Sequence, residues 1–273
     1  MAQEINFWKM QAAGNDFIII DNRKRVLKSN YSLIAKKLCQ RKFSIGADGL
    51  LILDNSETAD FKMLIFNSDG SQAEMCGNGA RCIAYYAFVN KIAKQKMKFE
   101  TLAGEIKASI SGENVKIQLT QPKDIKLDFN LKIDKKIFKV SYINTGVPHT
   151  IIFVNKVDKI DVNHIGRKIR YHKFFLPKGT NVDFVQVIDK NTIFLRTYER
   201  GVEAETLACG TGCVASAIVS GLKNFVKSPV RCKTKSGEIL KVYFKLADKS
   251  EVRVNNLFLE GKVYVSFLGK TII

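Results

Sequence analysis

The sequence predicts an α/β (α+β) protein of two similar halves, each a curved, mainly antiparallel sheet around one central helix. Three observations carry this expectation. A Cys-Gly-x-Gly turn occurs twice, each copy is followed by a helix-period stretch that is apolar nearly all round, and many short β-branched segments end in turn residues.

The duplication is the strongest of the three. Met75-Cys76-Gly77-Asn78-Gly79 is matched by Ala208-Cys209-Gly210-Thr211-Gly212. Ala80, Ile83, Ala84, Ala87 and Phe88 follow the first at helical spacing, and Val214, Ala217, Ile218, Gly221 and Leu222 follow the second. The flanks agree as well. Thr101-Leu102-Ala103-Gly104-Glu105-Ile106 resembles Thr234-Lys235-Ser236-Gly237-Glu238-Ile239, with the glycine 28 residues after each cysteine. Upstream, the Gly14-Asn15-Asp16-Phe17 segment begins 62 residues before Cys76, and Gly146-Val147-Pro148-His149 begins 63 before Cys209. Each copy thus has the size of an ordinary domain.

Strand candidates in the first copy are Leu50–Leu53, Phe61–Phe66, Lys98–Thr101, Glu105–Ile110 and Val115–Leu119. In the second they are Thr150–Val154, Phe184–Val187, Ile193–Tyr198, Ile239–Leu246 and Val252–Val254. A helix that is apolar on most sides requires burial on most sides, which a sheet wrapped around it supplies.

Composition bounds the function. The 273 residues are 46% hydrophobic and 26% charged, ordinary for a folded chain. The longest apolar runs fall far short of the ~20 residues of a membrane span, and the start lacks a basic segment followed by an apolar core. The expectation is therefore a cytoplasmic protein without a membrane partner. The net charge of +18 invites a nucleic-acid reading. The lysines, however, interleave with apolar strand-like positions (Lys116, Lys123, Lys126, Lys132, Lys136) and no recognition signature accompanies them, so no nucleic-acid partner is expected. Among the six cysteines no Cys-x-x-Cys pair occurs, and the three histidines lie far from them in sequence. That pattern predicts no metal site and no disulfide framework.

Two cysteines stand apart because each opens a helix. The first amides of a helix lack internal partners and carry partial positive charge. They lower a nearby thiol's pKa and bind a carboxylate, here through Gly77, Asn78, Gly210 and Thr211. Two such helix starts facing each other across a domain cleft would hold one carboxylate between two thiols. That constellation suits inversion at a Cα next to a carboxylate, where one thiolate removes the proton and the other thiol returns one to the opposite face. Other readings of the same residues remain. Gly210-Thr211-Gly212-Cys213-Val214-Ala215 fits a dinucleotide fingerprint with Ala last, but the preceding residues do not read as a buried parallel strand. A cysteine hydrolase with His149 as partner leaves the second cysteine copy unexplained. A basic binding protein with structural glycine turns is the reading without enzymatic activity.

Phe66-Asn67-Ser68-Asp69-Gly70-Ser71 with Glu74-Met75-Cys76-Gly77-Asn78-Gly79-Ala80-Arg81-Cys82 resembles the first signature of the diaminopimelate epimerases. Glu199-Arg200-Gly201-Val202-Glu203 with Thr206-Leu207-Ala208-Cys209-Gly210-Thr211-Gly212 resembles the second. Gly14-Asn15-Asp16-Phe17, Gly46-Ala47-Asp48, Pro148-His149 and Gly179-Thr180-Asn181-Val182-Asp183-Phe184 fall in family order. The resemblance implies two barrel-like halves, 1–118 with 263–273 and 119–262, the segment near Gly261–Phe267 returning to the first, and an active site in the cleft between them. It implies interconversion of LL- and meso-2,6-diaminopimelate, a step towards lysine and peptidoglycan precursor, without pyridoxal phosphate, other cofactor or metal. Carried over by motif, Cys76 and Cys209 are the acid/base pair. Gly77, Asn78, Gly210 and Thr211 hold the reacting carboxylate, and Asn15, Asn67, Asn181 and Arg200 contact substrate. His149 and Glu199 sit near the reacting amino group and set the thiol pKa values. Tyr264 matches a dimer-contact tyrosine, implying a homodimer. Two positions depart from the family pattern: Val147 replaces an asparagine and Gly49 a glutamine. Asn144, three residues before Val147, is a candidate to replace the lost amide. A related two-cysteine racemase of the proline-racemase type is the alternative enzyme.

Overall fold

The computed structural model describes residues 3–28, 30–246 and 254–272. Its contacts divide the chain into two units, Met1–Gln118 with Glu260–Ile273, and Leu119–Leu259. In chain order the elements begin β1 (Glu4–Ala12), β2 (Asn15–Asp21), α1 (Tyr31–Leu38), β3 (Gly49–Asp54), β4 (Phe61–Asn67) and β5 (Gln72–Ala73). Then come α2 (Gly77–Val89), β6 (Lys96–Thr101), β7 (Gly104–Ser111) and β8 (Asn114–Gln118). The second unit brings β9 (Lys123–Ile133), β10 (Lys136–Asn144), β11 (Pro148–Phe153), α3 (Val162–Arg170), β12 (Asn181–Asp189) and β13 (Thr192–Glu199). It continues with β14 (Ala204–Thr206), α4 (Gly210–Leu222), β15 (Val230–Lys233), β16 (Ile239–Leu246) and β17 (Val254–Lys262), and β18 (Tyr264–Ile272) ends the chain.

In the first unit the strands run β18-β1-β2-β3-β4-β6-β7-β8. Every neighbouring pair is antiparallel except β2/β3 and β4/β6. Helix α2 packs against β1, β2, β3, β4, β7 and β8, which is the central placement its apolar circumference requires. Helix α1 covers the other face, where Ala35 and Leu38 meet Ile18, Ile20, Leu50, Ile52 and Phe66. With a helix on each side, β2 and β3 are buried on both faces. Ile18-Ile19-Ile20 and Leu50–Leu53 are accordingly continuous apolar runs rather than alternating ones.

The second unit repeats the plan as β9-β10-β11-β12-β13-β15-β16, with β11/β12 and β13/β15 parallel. Helix α4 packs against β10, β11, β12, β13, β15 and β16. Helix α3 covers the other face through Val162 and Ile169 against Ile152, Val182, Phe184 and Tyr198. The repeat holds at the level of register. Phe17 lies opposite Gly49 as His149 lies opposite Asn181, and Phe61 lies opposite Phe99 as Ile193 lies opposite Cys232. At the N-terminal edge, β18 pairs with β1 as β9 pairs with β10, so the last strand of the chain takes in one unit the place that β9 takes in the other.

The strand candidates coincide with β3, β4, β6, β7, β8, β11, β12, β13 and β16 to within a few residues; β8 stops at Gln118. Of Val252–Val254, the first two residues lie outside the described residues and Val254 opens β17. Helices α1 and α3 escaped the sequence pattern because each spans only about two to three turns. Of the interleaved lysines, Lys123, Lys126 and Lys132 fall in β9, where exposed positions alternate with more buried ones, as solvated strand faces do.

Candidate functional site

Each candidate cysteine is the residue preceding a central helix. Cys76 adopts an extended backbone (φ −141°, ψ 122°) before α2, and Cys209 does the same (φ −122°, ψ 111°) before α4. The first intrahelical bonds are Ala80 N to Cys76 O at 2.8 Å and Cys213 N to Cys209 O at 2.9 Å. The amides of Gly77 and Asn78, and of Gly210 and Thr211, precede those bonds in the first turn of each helix.

In the first unit three of the predicted residues come together. The Cys76 thiol lies 3.7 Å from Asn15 Oδ1, which also accepts from Asn78 Nδ2 at 3.4 Å. Asn15 is oriented from behind, since its amide donates to Asp48 Oδ2 at 2.8 Å. Asp48 shares Arg41 with Asp16, and Lys9 pairs with Asp16 at 2.8 Å. Burial alone would raise the Asp16 carboxyl, but the hydrogen bonds from Arg41 and Lys9 outweigh it and hold the pKa at about 2. Arg81, fully buried in the second turn of α2, donates to Asn78 Oδ1 at 2.8 Å and fixes that side chain. Asn67, at the end of β4, stands apart: its side chain is exposed and donates to Ser71 Oγ at 2.9 Å.

The second unit is more polar. Cys209 is buried, accepts from Gly212 N at 3.4 Å and lies 3.4 Å from Thr211 Oγ1. His149 is fully buried, with Nδ1 2.7 Å from Asp183 Oδ2, and Nε2 3.0 Å from Thr211 Oγ1 and 3.4 Å from Asn181 Nδ2. Asn181 Oδ1 accepts the backbone N–H of Arg200 at 2.7 Å. Arg200 is partly buried, and one guanidinium nitrogen donates to Lys178 O at 3.0 Å. Burial pushes the Glu199 carboxyl up.

One expectation is corrected. A helix start was expected to favour thiolate, but the Cys209 thiol is pushed well above its ordinary range. Desolvation is the largest cause, followed by the negative charges of Glu199 and Asp183; the hydrogen bond from Gly212 N offsets only part of it.

Asp48, Arg81 and Asp183 stand in the sequence only as members of the motifs, and Thr197 only as a residue of a strand candidate. A carboxylate at Asp183 inside the otherwise apolar Val182–Val185 run was the available signal, since a buried charge needs a partner. Asn144 ends β10, opposite Pro148. Its carbonyl accepts from Gly146 N at 3.1 Å, and its amide reaches Asp124 at 3.5 Å. Tyr264 begins β18 opposite Gln11 and is 37% exposed.

The family model described as diaminopimelate epimerase matches residues 7–124 and 141–256. This chain belongs to the diaminopimelate epimerase family. It is 47% identical to a diaminopimelate epimerase of Aquifex aeolicus, with 97% of each chain covered. To one of a Hydrogenobaculum species it is 44% identical, with 96% of each covered. Among solved structures, a Bacillus anthracis phenazine biosynthesis protein of the PhzF family shares the fold, with a TM-score of 0.77 at 17% identity, covering 99% of this chain and all of that one. Family membership places both helix-start cysteines, His149 and Glu199-Arg200 inside the matched segments.

Proposed function

We propose that this protein epimerises LL-2,6-diaminopimelate to the meso isomer, with Cys76 and Cys209 as the acid/base pair and no cofactor. The observation that carries the proposal is that the two thiols stand at equivalent helix starts in the repeated halves, each beside the first amides of its helix. The family membership and the close relatives' names support the substrate.

The chemistry follows from the residues. A Cα–H beside a carboxylate is a very weak acid, so the transition state gathers charge on the carboxylate oxygens. The amides of Gly77, Asn78, Gly210 and Thr211 are preorganised donors for that charge, and such donors typically lower a barrier by about 3–4 kcal/mol each. One thiolate takes the proton, and the other thiol delivers one to the opposite face. The pair holds about one proton, as a coupled unit. Burial and the negative charges of Glu199 and Asp183 push the Cys209 thiol up, so Cys209 gives up its proton less readily than an exposed thiol does. Glu199 and His149 receive the reacting amino group, while Asn15, Asn67, Asn181 and Arg200 read the rest of the substrate, Arg200 as the cation for the distal carboxylate. The protein works in the cytoplasm as a homodimer with Tyr264 at the contact.

The test is incorporation of solvent deuterium into LL-diaminopimelate in heavy water, beside L-proline as a competing substrate. Exchange and inversion of diaminopimelate alone is the expected result. Turnover of proline with none of diaminopimelate would move the assignment to the proline-racemase type, and no exchange with either would remove the enzymatic reading.

A further inference from the structure

The two helix starts rest on opposite kinds of floor. Beneath Gly79 of α2 lie Leu51 Cδ2, Ile65 Cδ1 and Phe17 Cζ, at 3.1–3.5 Å from where a Cβ would stand. Beneath Gly212 of α4 lie Asp183 Oδ1 at 2.5 Å and Thr197 Oγ1 at 3.2 Å from the same point. The shared registers make these positions counterparts: β3 pairs Leu51 with Ile65, and β12 pairs Asp183 with Thr197. Phe17 and His149 are counterparts on β2 and β11. One floor is entirely apolar, and the other is a hydrogen-bonded chain.

The direction of that chain can be read from its donors. The Asn181 amide nitrogen only donates, so His149 Nε2, 3.4 Å away, accepts. Nδ1 therefore carries the ring proton and gives it to Asp183 Oδ2. Thr197 donates to the other oxygen of the same carboxylate at 2.7 Å. With Nε2 an acceptor, the Thr211 hydroxyl donates to it at 3.0 Å. The Thr211 oxygen is then left to accept the S–H of Cys209, 3.4 Å away.

We infer that Asp183 is a positioning residue for the Cys209 thiol, acting through His149 and Thr211, and that this device exists on only one side of the duplicated site. Asp183 touches no reacting atom. It fixes the tautomer and angle of His149, which sets the Thr211 hydroxyl, which holds the Cys209 proton in one direction. Fully buried at 0% exposure with His149, it has no freedom to relax. The first half needs no such chain, because Asn15 Oδ1 meets Cys76 directly. The inference rests on the proposed two-thiol reading for its kinetic part, but the chain itself is testable without substrate.

The experiment compares wild type, Asp183→Asn, Thr211→Val and the double variant as full-length protein. Alkylation of each cysteine by iodoacetamide is followed by peptide mass mapping, alongside kcat and KM on LL-diaminopimelate. Asp183→Asn removes a negative charge beside Cys209 and permits the opposite tautomer. Cys209 alkylation at neutral pH should quicken severalfold while Cys76 alkylation stays unchanged. kcat should fall about 10- to 100-fold with little change in KM. The double variant should be no slower than the slower single one, because both act through one chain. Where Asp183→Asn fails to fold, Thr197→Val with Thr211→Val gives the same cycle. An unchanged Cys209 rate, equal changes at both cysteines, or additive losses in kcat would overturn the inference. A wild type that alkylates as expected but lacks epimerase activity would instead overturn the functional proposal and leave the chain standing.

Discussion

Phe17 and His149 hold the same place in the two halves, each opposite the residue 32 positions further along a parallel pair of strands, Gly49 in one and Asn181 in the other. One half spends that place on a ring that packs, the other on a ring that hydrogen-bonds through both nitrogens. The consequence is a pair of thiols in equivalent backbone positions but unequal surroundings.

Both thiols are expected to be indispensable. Cys76→Ala and Cys209→Ala should each remove most net inversion, since either direction of the reaction uses both groups. A coupled polarimetric or chromatographic assay of meso product checks this, and near-normal inversion by either variant contradicts the two-base scheme. Replacing Cys82 or Cys213, both fully buried within the helices, should leave activity in place.

Arg200 is expected to select a substrate with a second carboxylate. Arginine pairs with carboxylate through a planar fork, and losing one partner of a desolvated pair costs about 2–5 kcal/mol. That is roughly 30- to several-thousand-fold in kcat/KM. Arg200→Met should lose that much on LL-diaminopimelate, and with it most of the preference over L-lysine. Arg200→Lys should recover part of it. Full retention of efficiency and preference would mean that another group reads the distal end.

The two glycines above the contrasting floors should respond differently to a methyl group. Gly79→Ala meets the ends of flexible apolar side chains, the nearest 3.1 Å away. Gly212→Ala meets Asp183 Oδ1 at 2.5 Å, an atom held by Thr197. Thermal unfolding should show a cost of about 1–3 kcal/mol for Gly212→Ala and a smaller one for Gly79→Ala. The reverse order would place the rigid floor in the first half.

Acid stability should carry the signature of Asp16. Its pKa in the fold is about 2 against an ordinary 3.8, so its stabilisation is complete above pH ~4 and is lost as pH falls through about 2. Urea titrations at pH 6, 4 and 2.5 should show wild type losing stability across that window. Asp16→Asn, already weakened by about 1–3 kcal/mol at neutral pH through Lys9 and Arg41, should lose less. Parallel pH curves for the two proteins would show that another carboxylate is responsible.

The sequence alone determined the duplication, the helix that follows each cysteine, most strands and the family, because these depend on periodicity and on contiguous motifs. Thr101 to Ile106 and Thr234 to Ile239 match as contiguous segments, and the registers Phe61–Phe99 and Ile193–Cys232 repeat the same correspondence in three dimensions. Only the tertiary structure decided which polar residues lie near the thiols. Asp183, Thr197 and His149 come from three strands and meet under α4 because parallel pairing of β11 with β12, and antiparallel pairing of β12 with β13, stacks residues far apart in the chain. It also decided the direction in which the Cys209 pKa moves. A helix start by itself draws a thiol towards thiolate, whereas burial beside Glu199 and Asp183 pushes the pKa up. Desolvation and through-space charge depend on what surrounds a group in three dimensions, which no local motif encodes.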